Sequence, residues 1–336
     1  MQTFKRAAVF TDIHFGNKGN SRQFNQDCER FVDWFIKDAK SKNCETFIFM
    51  GDWHHHRATI NIDTLGYSLR ALEKLANAFE QSFFILGNHD LYFKDSRAVN
   101  SVEWAKNIPN LQIIHEPLIK EDCAFIPWLV GDEWKELKEA KSLPYVFGHF
   151  ELPYFLMNAM ISMPDTNELR AEHLQHHGYV FSGHFHKRQV KGNIHYIVNA
   201  FPHNYSDAND YARGYMELEF GGDPLYHNWA DCPKYQSAKL TELLHNSSIL
   251  QKNSYVRVDI YADITYEDSN FVKDTFLRQY KLREMTFIQQ RDMTQYDSTE
   301  MPQAFESIDE IVHNQIQAVD SEHYDSHLLL EIYKNL

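Results

Sequence analysis

Residues 47–57 read FIFMGDWHHHR: four bulky apolar residues, a glycine–aspartate step, a tryptophan, three consecutive histidines and an arginine. A short continuous apolar run closed by a turn signal has the length and composition of a buried strand. The glycine permits a sharp turn, and aspartate with histidine supplies groups that bind metals or move protons. Outward from this stretch the same pattern recurs four times. Ala7-Ala8-Val9-Phe10 runs into TDIHFG, Phe83-Phe84-Ile85-Leu86 into GNHD, Tyr145-Val146-Phe147 into GHFE, and Tyr179-Val180-Phe181 into SGHFH.

Between the first two runs, Phe24, Cys28, Phe31, Val32, Phe35, Ile36 and Ala39 recur at three- and four-residue steps, the signature of one helical face. Leu65, Leu69, Leu72, Leu75, Ala76 and Phe79 do the same between the second and third. Strand, helix, strand, helix, strand predicts a layered α/β fold with its strands covered on both faces. In such folds binding sites gather beyond the carboxyl ends of the strands, so the five polar loops are expected to converge.

The totals narrow the function. The 336-residue chain carries a formal charge of −14, which argues against a generic electrostatic binder of nucleic acid unless bound metal reverses the sign locally. Its four cysteines, Cys28, Cys44, Cys123 and Cys232, are scattered, with neither the close pairs of a zinc ribbon nor the density of a disulfide scaffold; buried, reduced thiols are expected. The N-terminal apolar run is too brief for a signal peptide, and no 18 uncharged apolar residues occur together. A soluble, cytoplasmic protein without a membrane partner is the expectation.

The 19 histidines matter for where they sit. Asp12, His14, Asp52, Asn88, His149, His184 and His186 offer carboxylate, amide oxygen and imidazole, a set suited to Mn²⁺, Fe²⁺ or Zn²⁺. Seven ligands are too many for one ion. Two ions about 3.5–4 Å apart, bridged by a carboxylate, would use them all and leave positions for water and a phosphate oxygen. Asp52, on the central-looking strand, is the natural bridge, and the expected reaction is phosphoester hydrolysis without a covalent enzyme intermediate. Gly51, Gly87, Gly148 and Gly183 stand beside these ligands, where the backbone must turn and come close.

The ordered set Asp12-x-His14, Gly51-Asp52, Gly87-Asn88-His89-Asp90, Gly148-His149 and Gly183-His184-x-His186 resembles the calcineurin-like metallophosphoesterase superfamily over roughly residues 1–220. The resemblance implies a β-sandwich flanked by helices. It also implies one ion on Asp12, His14, Asp52 and His186, and the other on Asp52, Asn88, His149 and His184. His89 would be the proton donor or transition-state stabiliser, and Asp90 would orient it. DIHFG, GHFELPYF and the segment from Ser182 to Phe220 are similar to the SbcD-type branch of double-strand-break repair nucleases, above all to the recombination endonuclease subunits of tailed bacteriophages.

That branch implies a Mn²⁺-dependent enzyme, exonucleolytic on duplex DNA and endonucleolytic on single strands, acting in recombination, repair and replication. It further implies a homodimer and an SMC-like coiled-coil ATPase partner. Its second motif usually carries two apolar residues after the aspartate; Trp53 keeps the first and His54 replaces the second. Adjacent side chains on an extended segment alternate in direction, so the three histidines cannot all converge. His55, three residues past Asp52, is by family position the candidate for handling the scissile phosphate, with simple packing behind the ligands as its alternative. His54 and His56 are peripheral, and Arg57 holds either a phosphate or an acidic neighbour.

Composition changes after Gly221-Gly222-Asp223-Pro224. The expected organisation is a nuclease domain over 1–245, a small α+β capping module over 250–292, a linker over 293–302 and a helical ATPase-binding tail over 303–336. Within the module, Tyr255–Tyr261 reads as a strand, Phe271–Tyr280 as a helix and Met285–Ile288 as a strand. Lys273, Arg278, Lys281, Arg283 and Arg291 are its candidates for duplex phosphates, diluted by Asp274, Glu284 and Asp292. Two other functions fit parts of the sequence: a phosphomonoesterase or small-molecule phosphodiesterase on the same centre, and a metal-free scaffold.

Overall fold

The five apolar runs become the strands Arg6–Phe10, Thr46–Met50, Gln81–Ile85, Tyr145–Gly148 and Tyr179–Ser182. They belong to a computed structural model that describes residues 2–157, 161–166, 168–261 and 265–290. The strands divide between two six-stranded sheets. In the first, Arg6–Phe10, Thr46–Met50, Gln81–Ile85 and Leu111–Ile114 run parallel in that order. An antiparallel hairpin of Gly214–Glu219 and Leu225–Asn228 extends the sheet beyond Arg6–Phe10. In the second, Ile194–Tyr196, Tyr179–Ser182, Tyr145–Gly148 and Cys123–Ile126 are parallel, with an antiparallel strand at each edge.

Alternation along each strand explains why the runs are continuously apolar. Ile48 and Met50 join Val9, Phe83 and Ile85 against Phe125, Phe147 and Phe181 of the second sheet, forming the sandwich interior. The Phe83 and Phe125 rings stack there with centroids 4.2 Å apart. Phe47 and Phe49 point the other way, against Phe31 and Phe35 of the helix Arg22–Ser41 and Leu72 and Leu75 of the helix Ile62–Ala78. Each such burial is worth about 1.5–3 kcal/mol, and a polar residue at either parity would forfeit it. Both helices start on side-chain caps: Ser21 accepts from the Phe24 amide and Asn61 from the Asp63 amide.

The two long helices cover one outer face of the sandwich, and on the other the short helix Glu133–Glu139 contributes only Leu137 and Trp134. Behind the second sheet, Val146 and Val180 are covered by Phe150, Leu152 and Leu174, which come from loops and a 3₁₀ turn. Leu69, read as part of the buried helical stripe, is 38% exposed. All four cysteines are buried.

A third, all-parallel sheet comprises Lys234–Lys239, Ser254–Ile260 and Glu284–Gln289, so its first strand precedes residue 250. Phe276, Leu277 and Tyr280 of the helix Tyr266–Tyr280 pack on it. Residues through Gln289 form one compact unit. Arg283 is not free for a duplex phosphate: its side chain is buried, and it donates to Asp27 on the first long helix at 2.7 Å and to Asn253 at 2.6 Å. Arg291, the 293–302 linker and the 303–336 tail lie outside the described residues. Among those residues no helix is long and apolar enough to cross a membrane.

Candidate metal centre

The loops after the five strands meet at one edge of the sandwich because parallel pairing continues past the strand ends. Asp12 N donates to Gly51 O at 2.9 Å, His14 N to Asp52 O at 3.1 Å, Phe15 N to Trp53 O at 2.7 Å, and His55 N back to Phe15 O at 2.9 Å. The two loops are thus zipped together while their backbones turn. Asp12, His14, Asp52 and His184 all sit at positive φ, between 52° and 81°. Non-glycine residues rarely adopt that conformation, and it costs on the order of 1–3 kcal/mol each. The glycines supply close approach: a Cβ on Gly87 would strike the Asp52 carboxylate and amide, and one on Gly51, at φ 99°, would strike the His149 ring.

All seven predicted ligands come together. Asp12 Oδ1 stands 3.4 Å from His186 Nε2 and 3.8 Å from His14 Nε2. Asp52 Oδ2 stands 3.6 Å from His14 Nε2, while its Oδ1 stands 3.5 Å from His149 Nε2. The two oxygens of Asp52 therefore face different halves of the cluster, as a bridging carboxylate can. Asn88 Oδ1 lies 3.1 Å from His149 Nε2 and 3.0 Å from His184 Nδ1.

Backbone and carboxylate partners fix several tautomers. His149 Nδ1–H donates to Met50 O at 2.6 Å, leaving the Nε2 lone pair facing Asp52 and Asn88. His184 Nε2 lies 3.3 Å from Glu151, which accepts its proton and leaves Nδ1 facing Asn88. Glu151 was missed in the sequence although it closes the GHFE motif; a carboxylate two residues after a ligand histidine was its signal. The Trp128 ring, 5.1 Å from that of His184, walls the same side.

The polar atoms that remain argue for cations. Asp12 Oδ1 and both ring nitrogens of His14 are buried without a hydrogen-bond partner among the described residues. Buried polar groups are seldom left so, and these atoms stand at spacings too long for hydrogen bonds yet suited to shared ligation. Asp12, His14 and Asp52 can converge on one point, as can Asp52, His149 and His184. Charge agrees. Burial raises the Asp12 carboxyl, but the imidazoles of His14 and His186 outweigh it and hold it well below the carboxylate range. Burial lowers His149, yet the charge of Asp52 lifts it to about 9. The protein alone draws protons into a place that divalent cations would fill, and the residues present fit them.

Two predicted roles come out differently. Asp90 does not touch the His89 ring: its buried carboxylate accepts from the amides of Gly87, Asp52 and Trp53, each at 2.9 Å, and of His54 at 3.3 Å. It shapes the Asp52 turn. The ring of His89 is oriented instead by His55 O, which accepts from Nδ1 at 2.7 Å. His54 is no peripheral residue: Trp53 Nε1 donates to Ser68 Oγ at 2.7 Å, and His54 hydrogen-bonds with the same hydroxyl through Nε2 at 2.8 Å and with Ser101 Oγ through Nδ1 at 2.9 Å. Burial lowers this imidazole to about 3 and keeps it neutral. The His55 ring stacks on that of His89 at 5.6 Å and lies 5.4 Å from that of His14, facing the cluster, whereas Arg57 is half-buried.

A second positioning layer was not legible in the motifs. Arg213, buried, donates to His186 O, to Asn199, and to Asp207 Oδ1 at 3.1 Å, and so holds the loop that presents His186.

The family model described as Calcineurin-like phosphoesterase matches residues 5–188. Exonuclease subunit 1 of Enterobacteria phage T4 is 28% identical over 216 residues, 62% of this chain and 62% of that protein. The match therefore spans less than two thirds of the relative's length. Among solved structures, the Pseudomonas putida nuclease MPE is similar with a TM-score of 0.29 and 18% identity, covering 56% of this chain and 66% of that one. A dimetal phosphatase from Danio rerio gives 0.35 and 12%, covering 64% and 92%.

Proposed function

The chain belongs to the calcineurin-like phosphoesterase family, and from that premise we propose that it is a Mn²⁺-dependent DNA nuclease, exonucleolytic on duplex ends and endonucleolytic on single strands. The observation that carries the reading is Asp52, whose two oxygens face His14 on one side and His149 on the other. The fold family implies a dinuclear divalent centre. We assign one ion to Asp12, His14, Asp52 and His186, the other to Asp52, Asn88, His149 and His184. Bound there, the pair supplies hydroxide near neutral pH and neutralises the oxyanions of an in-line displacement at phosphorus.

The chain's own part is to position and to move a proton. His89 Nδ1–H is held by His55 O, and its backbone amide by Asp52 Oδ1 at 2.8 Å, so the ring cannot swing away. Protonated, His89 keeps one proton on that carbonyl and offers the other from Nε2 to the leaving oxygen. The stacking of His55 on His89 at 5.6 Å supports a role for it in contacting the scissile phosphate. Asp90 supports Asp52 from behind.

DNA as substrate is supported by the exonuclease subunit named above. That relative is a subunit, which also supports a complex; the SMC-like ATPase partner, engaged through residues 303–336, and the homodimer are parts of the same proposal. The net charge of −14 favours the competing reading, a phosphomonoesterase or small-molecule phosphodiesterase. Purified chain with Mn²⁺, alone and with its ATPase partner, should degrade duplex DNA from its ends and cut single-stranded circles. Intact DNA beside rapid turnover of a nitrophenyl phosphate would overturn the nuclease reading in favour of its competitor.

A further inference from the structure

His203 belongs to none of the five motifs, yet it is only 1% exposed and neither of its ring nitrogens has a hydrogen-bond partner among the described residues. Its ring lies 5.3 Å from that of His14 and 5.4 Å from that of His186, near perpendicular to both. One nitrogen from each of the three rings falls within 4.8 Å of the other two. Two imidazoles on one ion can stand no further apart than twice a metal–nitrogen bond, about 4.2 Å. The three are thus within a sub-ångström adjustment of a common point.

The position is built. The His203 amide donates to Asp207 Oδ2 at 2.8 Å, and Asp207 is the carboxylate that pairs with Arg213, which in turn holds His186 O. One network therefore places His186 and His203 together. Phe24 and Phe201 close the far side of the ring, at 5.4 and 5.2 Å, with no polar atom that would satisfy it. Phenylalanine would fill such a pocket at no polar cost, whereas a buried imidazole without partners loses the hydrogen bonds that water would give it.

We propose that His203 is an additional ligand of the first ion, joining Asp12, His14, Asp52 and His186 through a ring nitrogen. This rests on the dinuclear assignment above and adds an eighth residue to it. The two halves of the centre then differ, with three imidazoles on the first ion and two on the second.

Calorimetric titration of the full chain with Mn²⁺ tests it without any activity assay. Wild type should bind two ions; His203→Ala and His203→Phe should each weaken one of them by about 10–100-fold and leave the other unchanged. His203→Phe preserves packing, so the effect of the lost nitrogen is separated from that of a cavity. Should either variant fail to fold, wild-type crystals soaked in Mn²⁺ decide the matter. Their anomalous signal should place an ion at a bonding distance of about 2.1 Å from a His203 nitrogen. Unchanged affinities in His203→Phe, or an ion bonded to Asp12 and His186 but not to His203, overturns the proposal. Wild type that binds no Mn²⁺ overturns the dinuclear assignment itself, and this inference with it.

Discussion

At the scale of the residue, chemistry and support divide along lines that side-chain type alone does not reveal. Asp52 and Asp90 are both buried aspartates near the cluster, but Asp52 presents its oxygens to imidazoles while Asp90 spends its own on four backbone amides. Asp52→Ala should abolish binding of both ions, read by metal analysis after dialysis. His89→Ala should leave two ions in place and lower turnover about 10²–10⁴-fold, the usual weight of a general acid; loss of metal in that variant would assign His89 to ligation instead. His54 was legible as a departure from an apolar position, but not as a satisfied one, since Ser68 and Ser101 reach it from elsewhere in the chain. His54→Ala should cost about 1–3 kcal/mol of stability, measured by denaturant melting, because it strands those hydroxyls.

At the scale of the element, a strand was legible where burial on both faces gave a continuous apolar run ending in a polar motif. The five site strands are such cases, and their continuous apolar runs announce them. The short strands Leu118–Lys120, Gln189–Lys191 and Ile194–Tyr196 were not read, because three residues with lysine or histidine among them carry no period. Only pairing with neighbours makes them strands. The turns are as demanding as the strands: Gly87 lies where a Cβ would meet Asp52. Gly87→Ala should cost about 1–3 kcal/mol of stability and weaken metal binding, and calorimetric titration beside a thermal melt separates the two. The Asp27–Arg283 pair fastens the first long helix to the third sheet, with both side chains buried. Asp27→Ala should destabilise by about 3–5 kcal/mol, while Arg283→Met, which leaves Asp27 paired with Arg30 at 3.3 Å, should cost less.

At the scale of the whole molecule, acid stability carries a prediction remote from the centre. His177 is buried and accepts from the Leu143 amide at 3.2 Å; burial, then the neighbouring His176, pushes its imidazole down to about 4. The unfolded chain protonates this group near 6.5 and the folded chain only near 4, so its contribution is full above 6.5 and lost as pH falls toward 4. In His177→Asn, which keeps an acceptor for Leu143, the loss of stability between pH 6.5 and 4 should be smaller than in wild type, followed by denaturant midpoints at each pH. The sequence by itself determined the succession of the five site strands along the chain, the two long helices between them and the seven candidate residues that gather beyond them, because burial on both faces and metal chemistry each restrict residue choice locally. Tertiary structure alone decided that Asp90 serves the backbone, that Glu151 and Arg213 hold His184 and His186, and that His203 stands beside His14. Those relations depend on which distant segments the two sheets bring to a common edge, and no local pattern of residues encodes that.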